Sequence, residues 1–246
     1  MIITSKNNEL IKSVRALKQK KARDEQGCYI VEGEKSVLDA YATKQEIKYL
    51  FVTEKYALNF EKYSPITVSD LVFQSLTDEV TPQGVLAVVK IPKSAPITQL
   101  THCLLLDRVQ DPGNVGAIIR TAVACGVKHI FAIDSADFYS PKVVRSSMGG
   151  LFRISVTKIT ESQAISLLNE QNVPLLSADM SGENLFCFNP PKRFCLCVGN
   201  EGQGISATLT SASNHKVSIP MQNGMESLNV AVATSVTLYT LLNNSK

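Results

Sequence analysis

The chain has 246 residues, 44% hydrophobic and 19% charged, enough to build a substantial core and outside the disordered range. No apolar run reaches the roughly eighteen residues that span a bilayer, and MIITSKNNELIKSVR lacks the apolar core of a secretion signal. The expectation is a cytoplasmic protein with no membrane partner. The net charge of +3 is uneven: Lys6 to Arg23 holds seven bases and one acid, whereas residues 94–246 hold eleven bases and ten acids.

In chain order, residues 8–21, NELIKSVRALKQKK, put Leu10, Ile11, Val14 and Leu17 on one stripe and predict an amphipathic helix. The polar ARDEQG reads as a break before a strand in CYIVEG. KYLFV at 48–52 and GVLAVVK at 84–90 are further predicted strands, with mixed helix and loop between them. These elements define a small α/β domain over residues 1–92. Pro92 and Pro96 mark a crossing, so residues 93–100 are taken as a linker.

The remainder, 101–246, alternates. Strands are predicted at 103–107, 128–133, near 154–158, at 173–177 and at 194–198. Helices are predicted at 115–125, 141–147, 161–171 and from about 228 to 242. Such alternation implies a mainly parallel sheet covered on both faces, with ligands outside the carboxyl ends of its strands. The six cysteines, at 28, 103, 125, 187, 195 and 197, mostly lie in apolar runs and are expected to be buried free thiols. Cys195 and Cys197 would share one strand face. With His102, His129 and His215 they form no zinc spacing, and no metal is expected.

Three polar islands follow apolar strands. In DRVQDPGNVGAIIRTAVACG (107–126), Asn114 reads as the cap of a helix ended by Gly126, and Arg120 lies two turns in amid apolar residues. A snorkelling arginine competes there with an anion-binding one. GNEGQGIS (199–206) offers main-chain groups unobstructed by side chains, yet it is neither GxGxxG nor a Walker loop. Its Glu201 is unsuited to a phosphate guest. In IPMQNGMESLNVA (219–231), Ser227 reads as a helix cap with Asn229 in the first turn. A tight turn and a structural polar bridge are the bland alternatives for these two islands.

Taken together and in this order, NVGAIIRTA (114–122), VGNEGQGIS (198–206) and IPMQNGMESLNVAVA (219–233) resemble the SpoU/TrmH family of RNA ribose 2′-O-methyltransferases, in the SPOUT superfamily. VRALKQKKARDEQGCYIVEGEKSV and TPQGVLAVV are similar to the family's RNA-binding domain, an L30e-like fold. The resemblance implies a SPOUT domain over 101–246 with a C-terminal deep trefoil knot, paired as a homodimer. Periodicity alone gives no hint of a knot, and the general rule argues against one.

The resemblance further implies S-adenosylmethionine as cofactor, held by Gly199, Asn200, Gly202, Gly204, Ile219, Pro220, Met221, Leu228 and Asn229. The implied catalytic set is Arg120, Asn114, Glu201, Ser227 and Asn229. RNA would meet Arg15, Lys18, Lys20, Lys21, Arg23 and Arg120; a solvated helix face is the competing reading of the basic stretch. The family often assigns Arg120 as general base. A guanidinium stays charged in proteins, so binding a substrate phosphate and stabilising the developing alkoxide is the better role. The expected reaction methylates a ribose 2′-hydroxyl, best a guanosine of large-subunit ribosomal RNA. A tRNA target is the alternative. Three rivals differ in class: a non-catalytic RNA-binding protein with the same shell, a dinucleotide oxidoreductase lacking its GxGxxG, and a methylase of proteins or small molecules.

Overall fold

The computed structural model describes residues 2–93 and 97–244. Residues 94–96 of the expected linker lie outside the described residues, and 91–93 and 97–100 have no regular structure. The chain forms two compact units, Met1–Lys93 with Asp137–Phe152, and Ser94–Ala136 with Arg153–Lys246. The first unit therefore includes Asp137–Phe152, which lies within the expected second domain.

The first unit holds a five-stranded mixed sheet of β1 (Ile2–Ile3), β2 (Cys28–Glu32), β3 (Ile47–Thr53), β4 (Ile66–Val68) and β5 (Val85–Lys90). Its order is β1-β4-β3-β5-β2, with β5 antiparallel to β3 and β2. Ile11, Val14 and Leu17 pack against Phe51, Phe73 and Leu76. Burial of each such side chain contributes about 1.5–3 kcal/mol.

The single helix expected over 8–21 is two, α1 (Glu9–Ala16) and α2 (Lys20–Gln26), and the predicted polar break is helical. Asn8 caps α1 by accepting from the Leu10 and Ile11 amides. Beyond its end, the Arg23 guanidinium donates to the carbonyls of Leu17 (2.7 Å) and Lys18 (2.8 Å). Those otherwise orphaned groups explain why the chain turns there. Gly27, at φ +59°, closes α2 in the left-handed conformation. The mixed region resolves into α3 (Glu34–Ala42) and α4 (Asp70–Leu76). From the later sequence, α6 (Pro141–Ser146) packs on β2, and Tyr139 contacts Tyr29 at 5.0 Å between ring centroids.

The second unit is a six-stranded sheet of β6 (Cys103–Asp107), β7 (His129–Ile133), β8 (Ser155–Lys158), β9 (Leu175–Asn184), β10 (Cys195–Gly199) and β11 (His215–Ser218). The order is β11-β9-β10-β6-β7-β8, and every pair is parallel. The strand expected at 173–177 starts at Leu175 and continues to Asn184, because its far end pairs with β11, which periodicity did not reveal. On one face, α7 (Glu161–Glu170) and α8 (Ala207–Ala212) cover Cys103, Cys195 and Cys197. Elsewhere α9 (Val230–Asn244) packs on α5 (Pro112–Ala124) and β10. Of the six thiols, Cys28, Cys103, Cys195 and Cys197 are buried; Cys125 is half-buried and Cys187 exposed, correcting the expectation for those two. Among the described residues no helix is long and apolar enough to cross a membrane.

β10 lies between β9 and β6, so the chain reverses its direction of travel across the sheet between these strands. Gly199 stands in register with Asp107, and Asp107 with Ile133. These three carboxyl ends form one edge, the usual ligand position in open parallel sheets.

Candidate active site

Two caps differ from the expected ones. Asp111, not Asn114, caps α5, accepting from the Asn114 amide at 2.8 Å. This frees the Asn114 side chain. At α9 the cap is Asn229, not Ser227: its Oδ1 accepts from Ala231 N at 2.9 Å and Val232 N at 3.3 Å. The amide expected in the first turn is thus the cap that begins the helix.

Both freed groups meet. Asn229 Nδ2 donates to Asn114 Oδ1 at 2.9 Å, and Asn114 Nδ2 donates to Glu201 Oε1 at 2.8 Å. The polarity of this chain is forced at both ends. Helix amides require Oδ1 of Asn229, which turns its Nδ2 outward, and a carboxylate only accepts. Asn114 in the middle must therefore accept from one neighbour and donate to the other. One chain of hydrogen bonds thereby unites all three polar islands.

Glu201 rides on a tight loop. Asn200 and Gly204 exchange both main-chain hydrogen bonds, at 3.1 and 2.9 Å. Asn200 Oδ1 accepts from Gly202 N and Gln203 N, and its Nδ2 donates to Arg108 O at 2.9 Å. A Cβ on Gly199 would lie 2.3 Å from the Gly204 carbonyl carbon, so only glycine fits there.

The other expected residues are placed less closely. Arg120 is exposed on α5 and has no hydrogen-bond or ion-pair partner among the described residues; beside it Thr121 Oγ1 lies 2.8 Å from Ser235 Oγ of α9. Ser227 is exposed, also without a partner among the described residues, in a stretch from Ile219 that has no helix or strand. Pro220 and Leu228 are exposed, Ile219 and Met221 half-buried. Residues 199–206 and 219–230 contain no lysine or arginine and two acids, Glu201 and Glu226.

In the basic stretch Arg15, Lys20 and Lys21 are exposed. Lys18 is largely occupied, donating to Thr77 O at 2.6 Å and pairing with Asp78 at 2.9 Å. Arg23 is corrected outright: 3% exposed, it pairs with Asp137 at 2.5 Å and has no face for RNA.

Sequence reasoning also passed over Asp107 and Arg108. Asp107 is buried, and both its oxygens accept from the Arg108 guanidinium at 2.9 Å. That hydrogen bonding raises the Arg108 pKa. The available signal was a carboxylate closing the otherwise apolar strand CLLLD.

An α/β protein with a polar site at the carboxyl edge of a parallel sheet is thus defined, and its relatives narrow the class. Residues 101–239 match the model of the SpoU rRNA Methylase family, and residues 8–87 that of the MRM3-like substrate binding domain. The Bacillus subtilis 23S rRNA (guanosine(2553)-2'-O)-methyltransferase RlmP is 31% identical over 244 residues, covering 97% of this chain and 98% of that protein. The AdoMet-bound rRNA methyltransferase of Sinorhizobium meliloti superposes with a TM-score of 0.88 at 29% identity, over 99% of this chain and 97% of the other. The SpoU methyltransferase AviRb of Streptomyces viridochromogenes, in complex with AdoMet, gives 0.86 at 26% identity over 96% and 98%. The chain belongs to the SpoU rRNA methylase family.

Proposed function

We propose that this protein transfers a methyl group from S-adenosylmethionine to a ribose 2′-hydroxyl of ribosomal RNA, with a large-subunit guanosine as the target. The observation that carries the reading is the Asn229–Asn114–Glu201 chain, which joins residues 115 and 87 positions apart into one polar constellation. Its guanosine preference rests on the name of the Bacillus subtilis relative.

The residues present fit this donor. The two stretches offered to it carry acids and no cation, which suits a sulfonium and not a phosphate tail. Ile219, Met221 and Leu228 supply apolar surface for a purine. Main-chain groups at Gly199, Asn200, Gly202, Gly204 and Pro220 would read its edges. When bound, S-adenosylmethionine supplies a methyl group on a good leaving group. The protein must therefore align atoms and manage a proton.

In this reading Arg120 stays charged, binds the phosphate beside the target ribose and stabilises negative charge developing on the 2′ oxygen. The proton passes to another group or to water. Asn114, fixed by Glu201 and Asn229, orients the ribose, while Ser227 holds the substrate side of the 219–229 stretch. Residues 1–92 serve as an L30e-like RNA-binding domain through Arg15, Lys20 and Lys21, and 101–246 as the SPOUT domain. We further assign a C-terminal trefoil knot, supported by the late insertion of β10 between β9 and β6. A homodimer is supported by the exposed Val232 and Tyr239 on α9, with exposed Leu228 just ahead of the helix. The proposed location is the cytoplasm.

The test is transfer of label from methyl-labelled S-adenosylmethionine to ribosomal RNA, followed by ribose-methylation mapping. Label retained on a 2′ oxygen is expected. Absence of transfer to rRNA and tRNA alike, by folded protein, overturns the activity; label on tRNA alone overturns the target.

A further inference from the structure

Asp107, which ends β6, and Arg108, which follows it, hold the Glu201 loop at three points. Asp107, 0% exposed, accepts from Ser206 N at 2.7 Å, at the far end of the loop. Arg108 O accepts from Asn200 Nδ2 at 2.9 Å, at the near end. Arg108 Nη1 reaches Gln203 Oε1, near the tip, at 3.4 Å. The carboxylate and the guanidinium are themselves joined by two 2.9 Å hydrogen bonds.

Holding this arrangement requires an unusual backbone. Arg108 sits at φ +57°, a conformation that non-glycine residues rarely adopt. Its amide is tied to Ile133 O at 2.8 Å, so β7 fixes one side of the residue while the loop fixes the other. A buried carboxylate is costly unless its acceptors are filled, and here three donors fill them. The loop's other anchors are Asn200, which closes it onto itself, and Glu201, which among the described residues accepts from Asn114.

We propose that Asp107 and Arg108 are positioning residues for the methyl-donor site, a clasp that sets the height and pitch of the 200–206 loop and, through it, of Glu201. This rests on the methyltransferase reading above. Neither side chain is required to touch donor or RNA; both act through the loop they grip. The clasp should therefore govern donor affinity and turnover while leaving RNA affinity alone.

Arg108→Asn removes the guanidinium with a residue that tolerates positive φ. Arg108→Lys retains charge without the two-pronged geometry. Because either leaves the buried carboxylate short of donors, Asp107→Asn/Arg108→Asn is measured beside them. In the full-length protein, all three should raise the Kd for S-adenosylmethionine roughly tenfold or more, the scale of one charge-assisted hydrogen bond lost. Amide exchange at Gly202, Gln203 and Ser206 should accelerate, with RNA affinity unchanged. Donor affinity equal to wild type in folded variants, whatever happens to exchange, leaves the clasp merely structural and overturns the proposal. Wild-type protein that binds no S-adenosylmethionine overturns the methyltransferase reading and the clasp's role with it; the two failures are thus told apart by the wild type.

Discussion

Asn229 spends its side-chain oxygen on the first turn of its own helix and its amide on Asn114, 2.9 Å away. One residue thus begins α9 and fixes a residue of α5. Asn229→Asp keeps the cap but loses the amide donor and sets a carboxylate against Asn114 Oδ1. Asn229→Ala loses both. The alanine variant should be about 1 kcal/mol less stable, the usual value of such a cap. Both should lose roughly 100-fold in turnover, as a small misplacement of reacting groups can cost that much. Thermal unfolding and single-turnover methylation check the pair. Full turnover in Asn229→Asp would make the chain a structural bridge only.

Arg120 is exposed and unpartnered among the described residues, so Arg120→Ala should change stability by no more than about 0.5 kcal/mol. Its single-turnover rate should nevertheless fall by about 100-fold or more, as for other lost stabilisers of a developing oxyanion. A variant that binds RNA more weakly but reacts normally once saturated would confine Arg120 to phosphate binding.

The basic stretch divides into two kinds of cation. Arg23→Ala strands Asp137 and the Leu17 and Lys18 carbonyls just beyond α1, and should destabilise the protein by about 3–5 kcal/mol, the scale for breaking a buried pair. Arg15, Lys20 and Lys21 are exposed; replacing all three should leave the melting midpoint in place and weaken RNA binding. The salt slope should decrease by about one or less for each lost phosphate contact. RNA titrations at several salt concentrations separate the two groups. Unchanged slopes would return these three cations to a solvated face.

Burial raises the Glu32 carboxyl above its ordinary value of 4.5, although the Thr77 hydroxyl, 2.6 and 2.7 Å from its two oxygens, works the other way. The folded protein therefore holds this proton more tightly than the unfolded chain. Its contribution to stability falls as pH rises from about 4.5 through the folded pKa. Glu32→Gln should flatten the stability–pH curve in that window. Parallel curves for the two proteins would count against the assignment.

Much of this was legible in the sequence. The strand CLLLD and the helix behind NVGAIIRTA were readable because a buried parallel strand is a near-continuous apolar run and the helix is closed by Gly126. The three islands were visible as polar interruptions at strand ends. Less legible was anything decided by a distant partner. Arg23 looks like its basic neighbours until Asp137, 114 positions later, is brought against it. Asn114 looks like a cap because asparagine is a good one, but Asp111 competes for the same amide with a carboxylate. Periodicity likewise cannot announce β11, a short strand whose existence depends on the extended end of β9.

The return of Asp137–Phe152 into the first unit bears on how the molecule is made. A ribosome must deliver β6, α5 and β7 before Arg23 can meet its carboxylate or β2 its covering helix. The segment up to Lys93 is consequently unfinished when it emerges, and completes its packing only with help from downstream sequence. A gene cut at residue 93 would yield a fragment with a naked guanidinium in its interior and a strand short of one packing helix, more prone to aggregate than the intact chain.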